Sequence, residues 1–208
     1  MASGGNGCEC FDWIFRRRIE EAPVPARQAP SPVARPRAFS DNPVLYAPLV
    51  MAVGRVRLNV PVKPLQEKTF SMEICGMAGV PLLKVDLREE RLEISLHSVG
   101  TLLAIVTSAK QVMGLLEEEP WVLGTLVKEA DGERHALRDE SGRMLLEITS
   151  QEGEHKMTCD SEGETLERGT AVWRAPTDRV PLEHFEVTAQ PNVDGVLLVA
   201  CFLAVTIF

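Results

Sequence analysis

Short apolar segments separated by turn residues recur along the chain from about residue 44 onward. Residues 91–96 alternate polar and apolar side chains, which is typical of a strand with one buried face. The pair Asp131-Gly132 is typical of a tight hairpin. Eight such segments are Phe70–Cys75, Leu82–Leu87, Leu92–Leu96, Leu102–Val106, Trp121–Val127, Leu145–Thr149, Thr170–Trp173 and Phe185–Thr188. Turns at this spacing predict an antiparallel meander that closes into a barrel or a sandwich.

An internal similarity supports this interpretation. Residues 79–85 and 142–148 each begin with a glycine that is followed, three positions later, by two leucines. The same offset of 63 aligns Ile94 with Met157 and Gly100 with Gly163. One offset that holds across two hairpins predicts two similar β-meanders, although a motif this short can also arise by chance.

The last fourteen residues, 195–208, contain no charged side chain. A helix of this length would be roughly 21 Å long, which is short of the ~30 Å hydrocarbon core of a bilayer. Because a helix that is apolar on all sides must be buried, we expect it in the core of the domain. Its β-branched residues leave a buried strand as the alternative. Asp194, directly before the run, favours the helix because aspartate is a good N-cap.

The order of these pieces resembles the tubby-like superfamily, which includes the phospholipid scramblases and the LURP-one-related proteins. The resemblance covers about residues 44–208 and implies a mainly β fold: a closed antiparallel barrel of about twelve strands around a buried apolar C-terminal helix. It is carried by Gly124-Thr125-Leu126-Val127, by Asp139-Glu140-Ser141-Gly142-Arg143, and by Val193-Asp194 followed by Ala200-Cys201-Phe202-Leu203.

Calcium is the cofactor that the resemblance to scramblases implies, through an acidic segment just before the terminal helix. Here that segment, residues 189–194, contains one carboxylate, Asp194. Calcium takes about six to eight oxygen ligands. We therefore expect no cofactor and no metal site.

The N-terminal residues 1–43 differ in texture from the rest and are predicted to be a disordered tail. Half of the fourteen prolines lie between residues 22 and 48, and prolines at this density disfavour helices and interior strands. Near the start, aromatic residues and three arginines follow two cysteines. Acylation, an aromatic wedge and a basic patch together would attach a protein to a membrane. The residues concerned are Cys8, Cys10, Trp13, Arg16, Arg17 and Arg18; the alternative is a solvated tail with incidental cysteines.

The charge and the cysteine content indicate which partners and which cellular compartment to expect. The net charge is −8, which disfavours nucleic acid as a partner. Half of the thirty acidic residues lie between 117 and 168, so the first half of the domain can still present a basic face. Its candidate lipid-binding residues are Arg55, Arg57, Lys84, Arg88 and Arg91, and a solvated barrel exterior is the alternative. Five cysteines without C-x-x-C spacing, together with no visible secretory signal, predict a cytoplasmic protein.

Catalytic motifs are missing from the sequence. It contains no nucleophile elbow, no phosphate-binding glycine loop and no H-E-x-x-H pair. We therefore expect a membrane-associated lipid-binding module of the scramblase or tubby-like kind, at the cytoplasmic face of the plasma membrane, rather than an enzyme. Its expected partner is an anionic phospholipid or a phosphoinositide, and phospholipid scrambling is a further activity that the resemblance implies. The alternative function is a soluble protein-interaction scaffold with a proline-rich tether.

Overall fold

The computed structural model describes residues 43–116, 119–161, 163–178 and 180–208. Within these ranges twelve antiparallel strands follow one another around a closed barrel, and β1 pairs with β12 to close it. The strands are β1 Val56–Pro61, β2 Phe70–Gly76, β3 Pro81–Arg88, β4 Arg91–Leu96, β5 Leu102–Thr107, β6 Gln111–Leu116, β7 Glu119–Lys128, β8 Arg134–Arg138, β9 Met144–Gln151, β10 Glu154–Ser161, β11 Glu164–Arg174 and β12 His184–Ala189. Short 3-10 helices span Ala47–Leu49 and Lys63–Gln66, and helix α1 spans Gly195–Ile207. The predicted fold class is confirmed.

Helix α1 forms the centre of the barrel core. All its residues from Gly195 to Ala204 are buried, and the inward-facing side chains of the strands pack around them. The Phe202 ring lies 4.9 Å from the ring of Phe185 and 5.2 Å from that of His155, measured between centroids. Burial on every side explains why this segment needs no polar face. In the described ranges, no helix has both the length and the apolar character needed to cross a membrane.

The strand directions give the barrel two distinguishable ends. At the end where α1 begins, Val56 of β1 pairs with Ala189 of β12, and Val50 forms an isolated bridge with Asp194. We call this the cap end; because the strands alternate in direction, the turns at 77–80, 97–101 and 139–143 also lie there. The opposite end, called the far end, carries the turns at 89–90, 108–110, 129–133 and 152–153.

The internal similarity in the sequence corresponds to repeated structure. Adding 63 to the residue numbers of paired residues in β2 to β4 gives paired residues in β8 to β10. The two sets of strands therefore pair in the same register. The irregularity in pairing after Ile74 recurs after Leu137, and the one after Ile94 recurs after Met157. Two successive hairpins with matching register and matching bulges are the two similar meanders that the sequence predicted.

Candidate functional site: a groove on the outer wall

The five predicted lipid-binding residues lie on the outer wall, but they do not meet. Arg55 and Arg57 lie near the cap end, whereas Arg88 and Arg91 face each other across the hairpin at the far end. Lys84 lies between them in the middle of β3. Strand β2 separates β1 from β3. These cations therefore form two separate groups and not one basic site.

Acidic neighbours reduce the positive potential of three of these residues. The Arg57 guanidinium lies 4.0 Å from Glu186, the Lys84 ammonium 3.0 Å from Asp86, and the Arg91 guanidinium 2.5 Å from Glu93. All three cations are solvent-exposed enough for such pairs to contribute little to stability. Their role in lipid binding stays a prediction. The predicted membrane-attachment residues Cys8, Cys10, Trp13, Arg16, Arg17 and Arg18 lie outside the described residues.

An apolar groove of about 410 Å³ runs along the outer wall over β1, β2 and the start of β12. The segment before β12 covers one side of it with Val180, Pro181 and Leu182. The outer faces of β1 and β2 form the base. The groove residues are Asn59, Pro61, Lys63, Pro64, Ser71, Met72, Glu73, Cys75, Gly79, Val180, Pro181, Leu182 and His184. We call this set the outer-wall groove.

His184 links the groove to a second cavity of about 410 Å³ beside it. The side chain is buried although β12 turns it outward, because the segment 180–182 covers it. Its Nδ1 lies 3.0 Å from the carbonyl oxygen of Leu182. A carbonyl oxygen can only accept, so Nδ1 carries a proton and donates this hydrogen bond. The hydrogen bond holds the His184 ring in place between the two cavities.

Charged groups lie at the margins of the two cavities. Lys63 lines the groove from the short helix after β1, and Arg174 lines the second cavity. The Arg174 guanidinium lies 3.2 Å from Glu186, whereas Lys63 has no ion-pair partner among the described residues. On the opposite margin, Glu73 lies 2.9 Å from the His97 ring. The groove thus combines apolar walls with one cation that is available for a ligand.

Cys75 lines the groove but is not activated as a nucleophile. Burial raises the pKa of its thiol, and the nearby Glu73 carboxylate raises the pKa further. The reactive form of cysteine is the thiolate, which a raised pKa disfavours at neutral pH. In the core, burial raises the pKa of Cys201 to about 12. Both thiols remain protonated at neutral pH.

Asp194 is a buried carboxylate with a structural role at the start of α1. Its Oδ1 accepts a hydrogen bond from the Val196 N–H at 2.7 Å, which confirms the predicted N-cap. Its Oδ2 accepts from the Leu45 N–H at 2.5 Å and from the Tyr46 N–H at 2.6 Å. Burial raises the pKa of Asp194, and these backbone hydrogen bonds oppose the increase. Across the described ranges, no group of three or more His, Cys, Asp or Glu side chains could hold a metal ion.

Two further histidines point into the barrel near the far end. His155 lies against Phe185 and Phe202, and its Nδ1 is 2.9 Å from the Ser150 hydroxyl. Burial lowers the pKa of His155, and His135 lowers it further. Burial also lowers the pKa of His135, with additional contributions from Lys110 and Lys128. Because burial disfavours the charged form, both rings are expected to be neutral at neutral pH.

The sequence did not indicate the outer-wall groove. Strands β1 and β2 form one part of the groove and the segment 180–184 forms the other. More than a hundred residues separate the two parts in the sequence, and they meet only because β1 pairs with β12. The sequence feature that could have indicated this segment is its composition, because Pro176, Pro181 and Leu182 come shortly before the last strand. Such a segment is typical of a loop, and its packing on the wall follows from barrel closure.

Comparisons with known proteins add little to this description. No protein-family model matches the chain, and no curated protein matches it. An X-ray structure of a protein from Arabidopsis thaliana is similar with a TM-score of 0.39 and 14% identity, over 78% of this chain and 95% of that chain. The fold assignment rests on the strand pairing of this chain, and membership of the tubby-like and scramblase group stays a prediction.

Proposed function

We propose that this protein is a membrane-associated lipid-binding module of the scramblase or tubby-like kind, with no catalytic chemistry of its own. The observation that carries the proposal is the outer-wall groove, which has apolar walls and the Lys63 ammonium at its margin. Ligand sites are commonly concave, mostly apolar and supplied with a few polar groups. A lipid with an acyl chain and an anionic head group matches both parts of this groove.

The position of α1 supports a site on the outside of the barrel. Helix α1 occupies the centre of the barrel and is buried from Gly195 to Ala204, whereas the outer-wall groove is open to a ligand from outside. An acyl chain on the outer wall would contact Pro61, Val180 and Leu182. Each methylene removed from water contributes about 0.8 kcal/mol. The Lys63 ammonium would pair with the anionic head group.

The test is displacement of a fluorescent fatty acid by phosphatidic and lysophosphatidic acids, with the full-length protein. Leu182→Asp places a charge against the apolar wall, and we expect it to weaken binding roughly ten-fold or more. Lys63→Glu should weaken binding of anionic ligands more than that of a neutral monoacylglycerol. Leu166→Asp and Lys68→Glu are the matched controls, because both residues lie outside the groove. Equal binding by all four variants would contradict the proposal.

A protein-interaction scaffold is the second candidate function. The observation that favours it is the exposure of Leu182 at the edge of the groove, since apolar side chains of a peptide could use the same surface. This candidate predicts that no lipid displaces the fluorescent fatty acid and that Leu182→Asp instead abolishes capture of a protein partner. Phospholipid scrambling is a weaker candidate, because α1 is enclosed by the barrel and spans thirteen residues.

A further inference from the structure

We propose that the cap end of the barrel docks on an anionic lipid surface through an apolar rim, an inference that rests on the proposed function and names the surface that meets the membrane. The rim consists of Met51, Val53, Met77, Val80 and Val99, and all five side chains are exposed. They come from the segment before β1, the β2–β3 turn and the β4–β5 turn. These three loops are neighbours, because strands β1 to β5 are consecutive around the barrel.

The degree of exposure distinguishes this rim from the rest of the surface. The side chain of Val53 is 85% exposed, that of Val99 is 71% exposed and that of Met77 is 65% exposed. Half of the ten exposed large hydrophobic residues in the described ranges belong to the rim. Single exposed apolar residues need no explanation, but a group of them on adjacent loop tips is typical of an interaction surface.

The charge around the rim identifies the partner as an anionic membrane. The loops at 50–55, 76–81 and 96–101 contain no carboxylate, and they carry Arg55. Nearby, the His97 ring lies 2.9 Å from Glu73, and the Arg57 guanidinium lies 4.0 Å from Glu186. On the other side of the same end, the β8–β9 turn contains Asp139 and Glu140. The cap end is therefore apolar with the cation Arg55 on one side and acidic on the other. Anionic lipids would repel the acidic side, so the rim is the side that would face the membrane.

Two further observations are consistent with this orientation. The described chain begins at the cap end, where Leu45 and Tyr46 bind Asp194. In addition, Gly79 of the β2–β3 turn lines the outer-wall groove, and Met77 of that turn lines the neighbouring cavity. Both cavities therefore reach the rim at their cap-end edge, whereas Lys63 and His184 line them toward the far end.

The experiment uses full-length protein with vesicles of phosphatidylcholine and phosphatidylserine, with phosphatidylcholine alone for comparison. The variant Val53→Glu/Val99→Glu should need roughly ten-fold more lipid for half-maximal flotation. The control Val127→Glu/Leu166→Glu adds the same charge at exposed apolar positions outside the rim and should float like the unmodified protein. Thermal unfolding of both variants confirms that each is folded.

Hydrogen–deuterium exchange on the same vesicles locates the contact even where residues 8–18 dominate the affinity. Backbone amides at 77–80 and 97–101 should exchange at least several-fold more slowly when the protein is bound, whereas those at 129–133 and 152–153 should not change. If the protein binds vesicles but exchange at 77–80 and 97–101 is unchanged, the rim inference is wrong and the proposed function stands. If the unmodified protein does not bind the vesicles, membrane association itself is wrong, and the inference fails with it.

Discussion

The Asp194 carboxylate accepts a hydrogen bond from the Tyr46 backbone N–H, which is 148 positions away in the sequence, at 2.6 Å. The same carboxylate caps α1 through Val196. One buried side chain thus connects the entry of the chain into the barrel with the start of the central helix. This contact holds the first described segment at the cap end.

Replacement of Asp194 should destabilise the barrel strongly. Asp194→Ala leaves one buried and two part-buried backbone N–H groups without this acceptor, and we expect a loss of about 3 kcal/mol in the free energy of unfolding. Asp194→Ser restores the cap to Val196 but not the bonds to Leu45 and Tyr46, so it should recover about 1 kcal/mol. Denaturant unfolding measures both. The control is Asp160→Ala, an exposed residue that accepts one hydrogen bond from Thr165; an equal midpoint for Asp194→Ala and the unmodified protein would refute this role.

Stability should decrease on mild acidification because burial lowers the pKa of both His155 and His135, and His155 is tested first. Its pKa in the folded protein lies below the usual value of 6.5, so the unfolded chain takes up the proton first. The free energy of unfolding therefore falls as the pH decreases from about 6.5 toward the lower folded-state pKa. His155→Gln should flatten this part of the pH profile. An identical profile for His155→Gln would show that another group is responsible.

Gly169 should not tolerate a side chain, because β11 approaches α1 closely at this position. A Cβ at residue 169 would clash with the Leu198 side chain and with the Thr188 carbonyl oxygen. We expect Gly169→Ala to cost about 1–3 kcal/mol in unfolding free energy. Gly76→Ala is the matched control, because its Cβ would meet only the flexible end of Leu82, at 3.0 Å. A smaller loss at Gly169 than at Gly76 would contradict this packing.

The arginines at 16–18 should contribute to membrane affinity independently of the barrel. Each basic residue near an anionic surface contributes about 1 kcal/mol, so Arg16→Gln/Arg17→Gln/Arg18→Gln should weaken vesicle binding roughly hundred-fold. The control removes the same charge elsewhere in the tail with Arg27→Gln/Arg35→Gln/Arg37→Gln. Vesicle titration at low salt measures both. Equal losses for the two variants would indicate a general charge effect and no specific role for residues 8–18.

Local pattern and repetition made much of the fold predictable. The alternation at Arg91–Leu96 coincides with β4, and the offset that aligns Gly79 with Gly142 also relates two sets of paired strands. Strands β1, β6, β8 and β10 were not among the eight predicted segments, although β1 alternates apolar and polar side chains as regularly as β4. His135 of β8 and His155 of β10 occupy inward positions, so an alternating apolar pattern is interrupted there.

The functional surfaces were less predictable, because they depend on which strands become neighbours. Arg57 and Glu186 are far apart in sequence, and only the pairing of β1 with β12 brings them within 4.0 Å. Likewise, Arg57 and Arg88 appear to belong to one basic stretch, but the alternating strand directions place them at opposite ends of the barrel. The outer-wall groove and the apolar rim follow from the same closure.

The most direct test of membrane association is flotation of the full-length protein with phosphatidylcholine–phosphatidylserine vesicles on a density gradient at low salt. The protein should move to the top of the gradient with these vesicles and remain at the bottom with phosphatidylcholine alone. Added salt should reduce the floating fraction, because exposed charges are screened. Protein that remains at the bottom of the gradient with anionic vesicles at low salt would contradict the central claim.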